Sequence, residues 1–325
     1  MKIIKIVLSS ATAAGFALLS AGAVAQGAAA YPSKTVKIVV PFSAGGGTDL
    51  MARNIAQKLN ESWKQPVVVE NKTGAGGIIG ADAVAKAPGD GYTYLMGTTT
   101  TAINASLVTK SPYDLKKDLQ PVAVLGLYAL VAVVPAASPA HTMQEFVALS
   151  NTKPLSAGSG GNGTPQHLLL EMFNGAAGTK ILHVPYKGGG PALIGLLGAQ
   201  TDIVFSLSAE CLPHVKSGKL RALAVTSEQR FPLMPDVPTM TEAGFPSVKA
   251  TGWTGLMVPS ATPKDIVLKI NAELSSIMAT PEMKTRLTDQ GFLSVVMSVA
   301  EVEKFVDTDV ARWGKVIREG NIKSE

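Results

Sequence analysis

The chain has a single cysteine, Cys211, so an internal disulfide is excluded. A nucleophilic cysteine needs His and Asn or Asp partners. His214 is near in sequence but offers thin support, and Cys211 reads as a small buried hydrophobe. Charged residues are only 16% of the chain, and no block of Lys or Arg accompanies the net charge of +5. Nucleic-acid binding is therefore unsupported. Several catalytic signatures are missing. No G-x-S-x-G elbow occurs, because Ala157 stands two residues before Ser159. There is no G-x-x-x-x-G-K-[ST] loop and no H-E-x-x-H. His167, His183 and His214 have the wrong spacing for zinc, and the methionines read as core filler. No metal, cofactor or enzymatic role is expected; an unusual periplasmic hydrolase is the enzyme alternative.

After the N-terminus, no apolar run is long enough to span a membrane. The N-terminus itself has Lys2 and Lys5 ahead of an apolar stretch from Ile6 to Val24, ending in Ala23-Val24-Ala25. That is a charged n-region, an h-region and a small-x-small cleavage site, which predicts a secretory signal over residues 1–25. No cysteine follows the cleavage site, so no lipid anchor is expected, and the mature protein is placed free in the periplasm. Removing Lys2 and Lys5 lowers the net charge to +3.

What remains is plentiful Gly and Pro and a strand-helix alternation. Val36–Val40 predicts a strand, the loop Ser43-Ala44-Gly45-Gly46-Gly47 follows, and Thr48 or Asp49 opens a helix. Pro66–Glu70 and Tyr92–Gly97 predict two more strands, separated by a helix over Ile78–Ala87. This βαβαβ order implies a parallel sheet covered by helices on both faces. Ligands of such sheets bind beyond the carboxyl ends of the strands, where Ser43–Thr48 and Thr98–Thr101 fall together. A similar unit restarts at the strand Leu130–Val134. The proline-rich segment Phe231–Pro246 reads as a linker, and helices opened by Thr262-Pro263, Thr280-Pro281 and Ser298-x-x-Glu301 close the chain.

Gly158-Ser159-Gly160-Gly161-Asn162-Gly163 fits the G-x-G-x-x-G spacing, and Thr164-Pro165 reads as N-cap and first helical residue. A glycine loop feeding a helix N-terminus favours an anion. A dinucleotide site also needs an acid at the end of the next strand, and Ile181–Val184 leads instead to Pro185-Tyr186-Lys187. The anion stands; the nucleotide does not.

A broader likeness runs through the mature chain. Pro41-Phe42-Ser43-Ala44-Gly45-Gly46-Gly47-Thr48-Asp49 with Ala52-Arg53, Val69-Glu70-Asn71-Lys72, Gly74-Ala75-Gly76-Gly77 and Asp90-Gly91-Tyr92-Thr93 all take part. So do the Gly158–Thr164 loop, His183-Val184-Pro185-Tyr186-Lys187-Gly188, Gly218–Thr226 and Trp253-x-Gly255. The chain resembles the Bug-type (TctC-like) solute receptors of tripartite tricarboxylate transporters.

That resemblance implies a two-lobe α/β periplasmic binding protein, type II-like, with a Venus-flytrap cleft and a mostly parallel sheet flanked by helices in each lobe. The expected division is 26–128 and 251–325 for the first lobe and 129–250 for the second. The implied ligand is a small organic acid, the implied partners are the membrane permease subunits, and a monomer is expected. A sensor partner of a membrane kinase is the alternative role.

By the same resemblance, ligand contacts fall on Phe42, Ser43, Ala44, Gly45, Gly46, Gly47, Thr48, Thr98, Thr99 and Thr100 in the first lobe. In the second they fall on Ser159, Gly160, Gly161, Asn162, Gly163, Thr164 and Ser206. Ser206 stands where many relatives carry Asp, which favours a plain carboxylic acid over an amino acid. Asp49 reads as a loop brace, the Gly74–Gly77 loop as a tight turn and Lys187 as a solvated side chain; ligand contact is the alternative for each.

Overall fold

The run Val36-Lys37-Ile38-Val39-Val40 forms strand β1 (Val36–Val40), buried at every position except Lys37. Helix α1 (Gly47–Trp63) turns Met51, Ala52, Ile55, Ala56 and Leu59 onto that strand's sheet. The computed structural model describes residues 31–320 and 322–323. The expected signal peptide lies outside them.

Strand β2 (Val67–Asn71), helix α2 (Ile78–Ala85), strand β3 (Thr93–Thr98) and helix α3 (Thr99–Leu107) complete the first βαβαβ unit. Strand β1 pairs in parallel with both β2 and β3. The short α4 (Leu115–Asp118) then leads into β4 (Leu119–Pro135), a strand of 17 residues. The second unit holds α5 (Met143–Ser150), β5 (Ser156–Ser159), α6 (Pro165–Ala177), β6 (Leu182–Pro185), α7 (Gly189–Leu197), β7 (Ile203–Leu207), α8 (Ser208–Lys216) and β8 (Leu220–Val225). The chain finishes with β9 (Thr251–Pro259), α9 (Lys264–Ala279), α10 (Pro281–Asp289), β10 (Leu293–Ser294) and α11 (Val299–Glu319).

Strand β4 belongs to two sheets. Its Leu119–Ala129 stretch pairs antiparallel with β9, which joins it to β3, β1 and β2. Its Leu130–Pro135 stretch pairs antiparallel with β7 and β8, and β7 continues to β5 and β6 in parallel. Each sheet is thus mixed, parallel on its outer side and antiparallel around the crossing strand. Sequence reading began this strand only at Leu130. The residues before it, Val122 to Leu125, are buried, and a continuous apolar run lacks the turn signal that would mark where one sheet hands over to the next.

Along the second half of β4, side chains alternate between two clusters, as a period of two requires. Leu130, Ala132 and Val134 join the main core, while Ala129, Val131 and Val133 pack with Cys211, Leu212, Phe231 and Met234. The thiol of Cys211 is buried as expected, and burial pushes its pKa upward. The segment read as a linker is packed: Phe231, Met240 and Ala243 are buried and Thr239 bridges to Val225.

The two crossings between the sheets meet at Thr226. Its amide and hydroxyl both donate to Leu130 O, at 2.9 and 3.1 Å, and the hydroxyl also reaches Ala250 O at 2.6 Å. The C-terminal helix α11 returns to the first sheet and packs on α3, where Trp253 Nε1 donates to Asp309 at 2.8 Å.

Candidate functional site

Three helices begin at one cavity between the lobes, and none is capped by the side chain of its own N-cap residue. Helix α1 starts after Gly46, α7 after Gly188 and α6 after Thr164, and none of these residues supplies a capping bond. Thr164 holds the N-cap position, but its hydroxyl donates to Gly161 O at 2.7 Å instead. Uncapped first-turn amides carry the positive end of the macrodipole and together form a ready anion site. The start of α3 differs: Thr98 and Thr101 make a reciprocal capping box, so that end satisfies itself. The sequence showed Thr98–Thr101 as a polar run, and the fold makes it a helix start.

About 400 Å³ of non-atom space, part of it open to solvent, lies at this cavity. Of the residues expected from sequence, Phe42, Ser43, Gly46, Thr48, Thr98, Thr100, Gly160 and Thr164 line it. They are joined by Tyr128, Gln166, Gly189 and Glu210, and of these sequence reasoning did not single out Gln166, Gly189 and Glu210. No Lys, Arg or His is among the lining residues.

The other expected residues shape the loops behind this wall. Gly45 N donates to Asp49 Oδ2 at 2.9 Å, and Arg53 Nε holds the same oxygen at 2.8 Å. Asn71 ties Asp49 Oδ1 to Phe42 O, so Asp49 is the brace its position suggested. Burial raises the Asp49 pKa, but the bonds from Arg53, Gly45 and Asn71 outweigh it and hold the carboxyl below its ordinary value. Thr99 spends its hydroxyl on Trp253 N at 2.9 Å. Ser206 is fully buried, and its hydroxyl turns to Leu207 O at 3.3 Å. Ala44, Gly47, Gly161, Asn162 and Gly163 lie outside the cavity lining.

Ser159 is placed differently from its expected role as a ligand contact. Its hydroxyl lies 2.5 Å from His183 Nε2 and accepts from Gly161 N at 3.1 Å. The His183 ring stacks on His167 at 4.2 Å, and His167 Nδ1 accepts the Gly163 amide at 3.2 Å. Burial, and then the neighbouring His167, lower the His183 pKa to about 4, so the ring is neutral at pH 7. Two imidazoles and one serine thus set the shape of the glycine loop.

The lobes touch across the cleft. Ser43 donates its amide and hydroxyl to Lys187 O at 3.3 and 2.6 Å, so Lys187 contributes its carbonyl at this contact. Gly76 lies so close to Asn162 O that a Cβ there would sit 2.2 Å from it. From α8, Glu210 reaches the first lobe, where its Oε1 accepts Gly47 N at 3.2 Å. Burial pushes the Glu210 pKa up to about 7, against the Gly47 amide, which pulls it down. Glu210 gave no sequence signal, because a lone acid in a helix's first turn is usually a solvated cap partner.

Among the described residues, no group of three His, Cys, Asp or Glu side chains is arranged to hold a metal, and no helix is long and apolar enough to cross a membrane. Two α/β lobes about a shared strand, with helix N-termini converging between them, define a bilobed solute-binding receptor. The family model described as "Tripartite tricarboxylate transporter family receptor" matches residues 51–322, and the chain belongs to that family. It is 36% identical to Protein BugT of Bordetella pertussis over 297 residues, covering 90% of this chain and 91% of that one. Among solved structures, periplasmic binding protein BugD superposes with a TM-score of 0.86 at 31% identity, covering 91% of this chain and 100% of BugD. MatC from Rhodopseudomonas palustris, with bound malate, has a TM-score of 0.84 at 33% identity, covering 88% of this chain and 100% of MatC. R. palustris Rpa4515, with adipate, has a TM-score of 0.86 at 31% identity, covering 90% and 99%.

Proposed function

We propose that this chain is a periplasmic receptor that captures a small organic acid between its lobes and delivers it to the membrane permease of a tripartite tricarboxylate transporter. The observation that carries this reading is the convergence of the α1, α6 and α7 N-termini, those of α6 and α7 uncapped, on a cavity whose lining has no basic side chain. Each helix terminus contributes about 0.3–1 kcal/mol toward a bound carboxylate, rising to about 2 when partly buried. Charge-assisted hydrogen bonds from amides and threonine hydroxyls add about 1.5–3 kcal/mol each. A few such contacts reach the roughly −8 kcal/mol of micromolar binding without an arginine.

Malate and adipate in the two related structures support the same ligand class. Phe42, Ser43, Gly46, Thr48, Thr98 and Thr100 form the first-lobe wall, and Gly160 and Thr164 the second. The mature receptor acts as a monomer, since one chain carries both walls. A thermal-shift screen of mono-, di- and tricarboxylates, amino acids, sugars and nucleotides tests the reading. Hits are expected among the carboxylates, with melting temperature rising with occupancy. Hits confined to nucleotides or sugars would overturn it.

A further inference from the structure

Two side-chain atoms at the cleft have no hydrogen-bond partner, Asn162 Oδ1 and Glu210 Oε2, and of the two residues only Glu210 lines the cavity. Glu210 Oε1 is occupied by Gly47 N, but Oε2 is shut off from solvent and bonded to nothing. The rest of the side chain keeps contact with the cavity, which it helps to line. The carboxyl lies against the start of α7 so closely that a Cβ on Gly189 would sit 2.2 Å from Oε2 and 2.5 Å from Oε1. Only glycine admits an acid there. A buried acceptor left without a donor is costly, and few native structures tolerate one without a ligand, ion or water to complete it.

We infer that Glu210 is the specificity residue of this cleft and that it selects organic acids bearing an N–H donor, an ammonium or amide group, over plain di- and tricarboxylic acids. The inference rests on the organic-acid reading proposed above and narrows it. The uncapped α6 and α7 N-termini take the ligand's carboxylate, and Oε2 takes its nitrogen. A second carboxylate at that point would meet a like charge with no cation in the cavity wall to offset it. The titratable groups facing Glu210 are few. Cys211 follows it in α8 and Tyr128 faces it from β4, both with pKa values raised by burial, while Asp49 of α1 is tied to Arg53. The conclusion runs opposite to the preference for plain acids drawn from Ser206. That residue lies behind the wall, while Glu210, four positions on, puts a carboxyl at the cleft.

The competing arrangement keeps Glu210 protonated, with Oε2–H donating to a carboxylate of a plain diacid. Calorimetry on matched pairs separates the two: L-glutamate against glutarate, 4-aminobutanoate against butanoate, and L-asparagine against succinate. At pH 7 the nitrogen-bearing member of at least one pair should bind tenfold or more tighter. Glu210→Gln should shrink that gap to less than threefold. In wild-type protein, titrations in buffers of different ionisation enthalpy should show proton release on binding an ammonium ligand, which needs no variant to fold. Plain acids that bind as tightly or tighter, with proton uptake or with affinity indifferent to Glu210→Gln, would overturn the inference and leave the organic-acid reading intact. Binding of no acid in either series would sink that reading and this inference together.

Discussion

Ser159 and His183 meet at 2.5 Å beneath the glycine loop, which makes the serine hydroxyl a structural bond instead of a free donor. Ser159→Ala leaves His183 Nε2 unpartnered and removes the acceptor for Gly161 N. Stability in urea should fall by about 1–3 kcal/mol, with the melting temperature of the ligand-free protein falling too. A variant with unchanged stability and a large affinity loss would return Ser159 to the ligand-contacting wall.

Thr48 should behave in the opposite way. It lines the cavity in the first turn of α1. Thr48→Ala is expected to weaken the tightest acid about fivefold to tenfold, about 1 kcal/mol, and to leave the ligand-free melting temperature unchanged. Isothermal titration beside a thermal melt checks both halves of that statement.

Closure can be tested without touching the ligand. A Cβ at position 76 would fall 2.2 Å from Asn162 O across the cleft, and Gly76 also has a positive φ of 59°. In Gly76→Ala the lobes should still fold, at a local cost of about 1 kcal/mol. Small-angle scattering should then show no contraction on adding ligand, and affinity should drop tenfold or more. Normal contraction would mean that the two loops yield.

The pH dependence of stability should have a term from Glu210 with an unusual sign. Its folded pKa of about 7 exceeds the ordinary 4.5, so its contribution is fully present below pH 4.5 and is lost as pH rises through 7. His183, with a folded pKa of about 4 against 6.5, acts in the other direction, costing stability as pH falls below 6.5. Glu210→Gln should therefore gain stability over wild type at pH 8, by about 3 kcal/mol at most, and little or none at pH 4. Urea melts at the two pH values decide it; a gain independent of pH would show that the acid is not the cause.

Much of the architecture was readable from local chemistry. Valine-rich strands, Thr280 and Ser298 as caps and the glycine loop before Pro165 all stand where pattern and capping rules put them. The loops that meet at the cleft were legible too, because strand ends in an α/β sheet share one edge. Which atoms face the ligand was not. Thr164 and Ser159 are both hydroxyls beside a helix start, yet one turns to Gly161 O and the other to His183, choices made by neighbours 3 and 24 residues away. Glu210 was hidden for the same reason, since its partner Gly47 is 163 residues distant. Helix α9 alone of the three final helices is shifted by one residue, with Pro263 in the cap position expected for Thr262.

Strand β4 has a further consequence. Its 17 residues are an interior strand of one sheet and then of the other, so both sheets are built on one continuous backbone. Cutting the chain at Ala129 would leave β9, in the C-terminal fragment, without its Leu119–Ala129 partner, while Leu130–Pro135 would stay with β7 and β8. The lobes therefore cannot be exchanged between relatives as independent cassettes, and their melting should follow one shared transition. A change of ligand has to come by substitution at the cleft, residue by residue, while the spine beneath it stays whole.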